Sequence, residues 1–127
     1  MTQRAAHIAT GQRAEEWAHQ FLTQQGLELV TRNFRCRRGE IDLIMRHGQH
    51  LVFVEVRYRK TSRYGSAAET VDSRKRARLI RCAEYFLTCF PSLARFPARF
   101  DVVTLAPDAS GAVSFDTGWI PNAFDAA

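Results

Sequence analysis

Two apolar runs, Glu40–Arg46 and Leu51–Arg59, are separated only by His47-Gly48-Gln49-His50, and this constrains the chain more than any other feature. Short runs rich in β-branched and aromatic residues, joined by a glycine-containing turn, form an antiparallel hairpin. Pairing about Gly48 and Gln49 sets residue i opposite residue 97 − i, so 46 meets 51, 44 meets 53, and Asp42 falls opposite Glu55. Opposed side chains on one face have Cβ atoms about 4.5–5.5 Å apart, and like charges there repel. A positive group must offset that repulsion.

One hairpin face reads Ile41, Leu43, Met45, Val52, Val54, Val56 and Tyr58, an apolar row expected to lie beneath a helix. Asp42 and Glu55 then occupy the face turned from the main core, with Glu40 opposite Arg57 and an apolar floor of Ile44 and Phe53 towards the turn. A hard divalent cation such as Mg²⁺ accounts for paired carboxylates, because it takes one or two of them, keeps waters and completes its shell with phosphate. Two solvated carboxylates at a sheet edge, each neutralised by an Arg, are the alternative.

Upstream, Ala14, Trp17, Ala18, Phe21 and Leu22 recur at helical spacing, which predicts a helix over Gly11–Gln25 with Thr10 as cap and Gly26 as its stop. A strand is expected over Leu27–Phe34, then a basic connection Arg35–Arg38. Beyond a loop around Gly65, a second helix is expected over Ser73–Phe90, with Asp72 or Ser73 as cap and Ala77, Ile80, Ala83, Leu87 and Phe90 on its apolar side. Strands follow at Arg99–Leu105 and Ala112–Phe115. The order helix-strand-strand-strand-helix-strand is that of a small α/β sandwich. At 127 residues it makes one domain, with residues 1–10 and 118–127 peripheral.

Charge is concentrated in the middle. The whole chain carries net +5, but residues 32–81 hold 14 basic and 5 acidic side chains, and 16 of the chain's 18 cations are Arg. The planar guanidinium fork suits phosphate, so a polyanion such as nucleic acid is the expected partner, against the plainer alternative of an Arg-rich solvated surface. Cys36, Cys82 and Cys89 are an odd number without a Cys-x-x-Cys pair, which fits a reducing cytoplasm rather than a disulfide or zinc framework; Cys82 and Cys89 are expected to be buried. His47 and His50 read as solvent-facing turn residues, Trp17 as core and Asp101 as a structural hydrogen-bonding acid. Trp119 and Phe124 fit tail docking or an oligomer contact. No apolar run approaches the roughly 18 residues of a membrane span, so no membrane partner is expected.

The stretch GEIDLIMRHGQHLVFVEVRYRK, with RFDVV downstream and AEEWAHQFLTQQG upstream, resembles the YraN family, a bacterial group of unassigned biochemical role. That family is similar to archaeal Holliday-junction resolvases and, more distantly, to restriction-endonuclease-like nucleases with an Asp…Glu-x-Lys signature. The resemblance implies a restriction-endonuclease-like core with a mixed sheet and flanking helices, Mg²⁺ or Mn²⁺ as cofactor, DNA as partner and a homodimer. It implies metal-binding roles for Asp42 and Glu55 and, from the first helix, for Glu15. The helical wheel favours Glu15 over Glu16, which points almost opposite the apolar stripe; a solvated first-turn acid is the alternative for Glu15.

The departure is Arg57, where the nuclease signature has Lys. Arginine stays protonated, so it orients water or holds phosphate but accepts no proton. The catalytic set is then Asp42, Glu55 and Arg57, and the nucleic-acid contacts are Arg35, Arg37, Arg38, Arg59, Lys60, Arg63 and Lys75. Lys60 is poorly placed to replace the missing Lys. Lys75 reaches the acids only if the second helix begins beside them; otherwise it joins the solvated stripe of Arg74, Arg78 and Arg81. Three functions follow: a metal-dependent DNA endonuclease acting on branched DNA, a catalytically idle nucleic-acid-binding module, and a protein-interaction scaffold.

Overall fold

Five strands form one sheet in the order β1-β2-β3-β4-β5: β1 (Glu28–Cys36), β2 (Gly39–His47), β3 (His50–Tyr58), β4 (Ala98–Pro107) and β5 (Phe115–Phe124). Helix α1 (Gln3–Gln24) precedes β1, and α2 (Ser73–Cys89), followed by a short 3-10 turn at Pro91–Leu93, connects β3 to β4. The computed structural model describes residues 3–59, 71–107 and 114–125, with side chains from residue 11 onward. β3 and β4 run parallel while the other neighbours are antiparallel, as a helical crossover between β3 and β4 requires. The chain is an α/β fold with a mixed sheet and flanking helices, consistent with a restriction-endonuclease-like core.

The hairpin register is the one read from the turn: His47 pairs His50, Arg46 pairs Leu51, Ile44 pairs Phe53 and Leu43 pairs Val54. Gly48 turns the chain with φ +60°, a conformation that favours glycine. The ladder ends at Leu43 and Val54, one step before the two acids. There the Asp42 carboxylate accepts the Val56 backbone N–H at 2.8 Å.

Both sheet faces are covered, which corrects the expectation that the acidic face turns away from the core. Leu43, Met45, Val52, Val54, Val103 and Leu105 pack with Ala14, Ala18 and Leu22 of α1. On the other face Ile44, Phe53, Phe100 and Val102 pack with Leu79, Cys82, Ala83 and Phe86 of α2. Ile41 joins this second layer rather than the row of Leu43 and Met45, because the strand's alternation changes phase at Asp42. Glu40 sits across from Arg35 in the β1–β2 ladder and not from Arg57.

Other boundaries moved. α1 continues through Thr10 and Gly11 to Gln3, so residues 3–10 are helical; its end is as expected, with Gly26 at φ +97° and the Leu27 N–H bonded to Leu22 O. β1 runs on through Arg35 and Cys36. The buried face of α2 is Leu79-Cys82-Ala83-Phe86, with Ala77 and Phe90 exposed and Ile80 and Leu87 at its margin. Cys82 is buried but Cys89 is exposed.

The C-terminal segment read as peripheral is β5, an edge strand pinned at several points. Asp101, fully buried, accepts hydrogen bonds from the Trp119 indole at 3.0 Å, the Asn122 N–H at 2.9 Å and the Arg99 guanidinium. Arg99 in turn reaches His47 Nδ1 at 2.9 Å, so His47 is partnered rather than solvent-facing. Phe124 stacks on Phe100 at 4.8 Å, and the Trp17 indole donates to Thr117. Of the short strand expected at Ala112–Phe115, residues 112 and 113 lie outside the described residues, as does the Gly65 loop, and Phe115 opens β5.

Candidate functional site

The acids gather where β2 and β3 diverge, beside Glu15 near the middle of α1. Glu15, Glu40 and Asp42 each offer a carboxylate oxygen within 4.8 Å of the others. Glu15 rather than Glu16 faces this group; Glu16 turns outward to Arg32, 2.9 Å away. Asn33 ties the cluster together. With its amide nitrogen towards the acids, it donates to Glu40 Oε1 at 2.9 Å and Glu15 Oε2 at 3.0 Å. It does so from a left-handed backbone, φ +54°, inside β1. Asparagine tolerates that conformation better than other non-glycine residues.

Glu55 is only 5% exposed. Its Oε1 lies 3.5 Å from Lys75 Nζ and 3.6 Å from Arg57 Nε. Its other oxygen, Oε2, is buried without a hydrogen-bond partner among the described residues. Lys75 therefore belongs to the acid centre and not to the solvated stripe of α2. The start of α2 decides this: Asp72 caps the helix by accepting the Lys75 N–H at 2.8 Å, which fixes the first turn beside β3.

Crowding leaves its mark on proton affinity. Burial, then the neighbouring Glu55 charge, push Asp42 up to about 7, against the bond from Val56 N–H. Burial also raises Glu55, although Lys75 and Arg57 pull it back, and burial followed by the Glu40 charge raises Glu15. Carboxylates held this way are short of positive charge. The donors of Glu15, Glu40 and Asp42 are all oxygen, the kind of set that suits a hard cation, and the nearby Glu55 Oε2 is buried without a partner among the described residues. Of the acids singled out from the sequence, Glu15 and Asp42 come together with Glu40, while Glu55 lies close enough to Asp42 for their charges to interact and is held by Lys75 and Arg57. Alternation along β2 puts residues 40 and 42 on one face, which was the available signal for Glu40; for Asn33 there was none.

The basic residues divide. Arg35 flanks the centre, its Nε 4.0 Å from Glu40 Oε2, and Arg37 and Arg38 form the exposed β1–β2 turn. Arg59 stands at the end of β3, its N–H bonded to Leu105 O. Lys60 and Arg63 lie outside the described residues. No helix among the described residues is long and apolar enough to cross a membrane.

The model of the uncharacterised protein family UPF0102 matches residues 14–105, from Ala14, the first core residue of α1, to Leu105 of β4. A UPF0102 protein of Alcanivorax borkumensis is 50% identical over 115 residues, covering 91% of this chain and 90% of the relative. UPF0102 proteins of Ectopseudomonas mendocina and Pseudomonas paraeruginosa are each 48% identical, over 122 and 127 residues, covering 96% and 99% of this chain and 99% and 100% of theirs. The matched span holds the whole acid cluster with Asn33, Arg57 and Lys75, and on this similarity the chain belongs to UPF0102, the YraN family, whose biochemical role is uncharacterised.

Proposed function

We propose that this protein is a metal-dependent endonuclease that hydrolyses phosphodiester bonds in DNA, branched DNA included. The observation that carries the reading is the acid centre itself: carboxylate oxygens of Glu15, Glu40 and Asp42 lie within 4.8 Å of one another, and the neighbouring buried Glu55 Oε2 has no hydrogen-bond partner among the described residues. Glu15, Asp42 and Glu55, with Glu40 beside them, would hold Mg²⁺ or Mn²⁺. When bound, such an ion polarises the phosphodiester and lowers the pKa of an attacking water.

The remaining roles fall to the chain's own side chains. The Val56 N–H fixes one Asp42 oxygen and leaves the other for the ion. Lys75, 3.5 Å from Glu55, brings to the site the compact three-donor ammonium that position 57 lacks, placed to orient water. Arg57 offers its fork to the scissile phosphate. Arg35, Arg37 and Arg38 beside the centre hold the flanking backbone. A branched substrate presents two cleavage points, so the reading includes a homodimer acting in the cytoplasm.

Mn²⁺ or Mg²⁺ is expected to promote nicking of branched DNA by the purified chain, and Glu55→Ala to abolish it while DNA binding persists. Nicking that survives Glu55→Ala overturns the assignment. Arg57 favours a second reading, a binding module that keeps the fold without turnover; it predicts salt-dependent binding with no divalent requirement.

A further inference from the structure

Beside the acid centre lies a separate cavity of about 520 Å³, lined by Arg35, Cys36, Arg37, Arg38, Arg81 and Tyr85. That volume lies within the range of small-ligand sites. Four of its six lining residues are arginines, and the fifth chemically distinctive group is an aromatic ring open to solvent. Tyr85 is 53% exposed. Phe34 underlies it, with ring centroids 6.0 Å apart and planes tilted by 35°, and Phe34 is held edge-on against buried Phe86 at 5.1 Å. The exposed ring is thus braced by the core.

The cavity is continuous with the centre through one strip of α2. Lys75, Arg78, Arg81 and Tyr85 follow one another at spacings of three, three and four, which align on one helix face. Lys75 meets Glu55, the Arg78 Cβ lies about 4.0 Å from a Cβ placed on Gly39 at the start of β2, and Arg81 and Tyr85 line the cavity. Ten residues of helix span about 15 Å. That is the axial length of roughly four stacked nucleotides at about 3.4 Å each.

We infer that this cavity is a subsite for an unpaired nucleotide of a single-stranded segment, its base stacked on Tyr85 and its phosphates held by Arg81 and the arginines of the β1–β2 turn. Exposed aromatic rings framed by guanidinium groups bind single strands in this way, because every base has a π-face, whereas a paired base in a duplex has both faces covered. The inference rests on the nucleic-acid part of the reading above and gives it a substrate class, DNA with an unpaired stretch next to the scissile bond.

The test uses fluorescence anisotropy of the full chain in EDTA, so that no turnover enters. Probes are a short labelled single strand, the matching blunt duplex and an abasic strand of equal charge. The single strand is expected to bind more tightly than the duplex. Tyr85→Ala is expected to weaken single-strand binding about tenfold, Tyr85→Phe to retain it, and the abasic strand to bind wild type and Tyr85→Ala alike. Arg81→Gln should lower the salt dependence by about one counterion. Unchanged affinity in Tyr85→Ala overturns the inference, as does equal binding of strand and duplex, or competition by free dAMP as effective as by the strand. Thermal midpoints confirm that the variants fold. Absence of nicking by the wild-type chain with Mn²⁺ or Mg²⁺, with Tyr85-dependent binding intact, overturns the nuclease reading alone; nicking without that binding overturns this one alone.

Discussion

At the scale of single residues, Asn33 does two jobs that normally fall to different side chains. It accepts a left-handed backbone, φ +54°, in the middle of β1, and its amide bridges Glu40 and Glu15. Glycine separates the two, since it keeps the backbone without strain and removes the donor. Asn33→Gly is expected to leave the thermal midpoint nearly unchanged while weakening Mn²⁺ affinity about 10-fold or more, the range for losing a partner that orients metal ligands. Asn33→Ala also loses the donor but adds roughly 1–2 kcal/mol of backbone strain. Calorimetric titration of Mn²⁺ beside thermal denaturation distinguishes them. Parental Mn²⁺ affinity in Asn33→Gly would show that the amide does not organise the acids.

At the scale of elements, β5 shows how tertiary context makes a strand from weak local material. Its sequence includes Gly118, Pro121 and Asn122, the last at φ +51°, residues that disfavour strands. Pairing with β4 and the buried Asp101 overrule that preference, and Pro121 is tolerated because β5 is an edge. Gly118 is required for a different reason. A Cβ there would lie 2.6 Å from Thr104 Oγ1 on the paired strand, and β-branched Thr104 is stiff. Gly118→Ala is expected to destabilise the protein by about 1–3 kcal/mol. Adding Thr104→Ala should recover part of that loss in urea denaturation, and simple additivity of the two would remove the proposed clash.

The hairpin register followed from one glycine turn, and with it the approach of Asp42 and Glu55, because a side-chain period of two leaves a single in-register solution. Glu15 followed from the helical wheel. The buried face of α2 did not, since Leu79, Ile80, Ala83, Phe86 and Leu87 are spread too widely for periodicity to choose between adjacent faces. Lys75 depended on where α2 begins relative to β3, a long-range fact that no local pattern encodes.

At the scale of the whole molecule, the acid centre sets how stability should vary with pH. Asp42 is raised from an ordinary 3.8 to about 7 in the folded chain, and Glu15 and Glu55 move in the same direction. The folded state therefore binds these protons more tightly than the unfolded state does. The stability they contribute is fully present below the unfolded value and is lost as pH rises through about 7. At about 1.4 kcal/mol per unit, Asp42 alone represents on the order of 4 kcal/mol. Glu16, lowered by its bond to Arg32, and Asp72, lowered by the Lys75 N–H, work in the opposite sense at lower pH. The informative quantity is thus the difference between wild type and Asp42→Asn, whose amide oxygen can still accept the Val56 N–H. In EDTA, wild type is expected to lose stability relative to Asp42→Asn between pH 5 and pH 8. Mg²⁺ or Mn²⁺ at about 100 times its dissociation constant should return roughly 2.7 kcal/mol to wild type at pH 8 and markedly less to the variant. Urea denaturation at the two pH values, with and without the ion, measures all of these, and parallel pH profiles in EDTA would mean that Asp42 carries no excess charge for a cation to relieve.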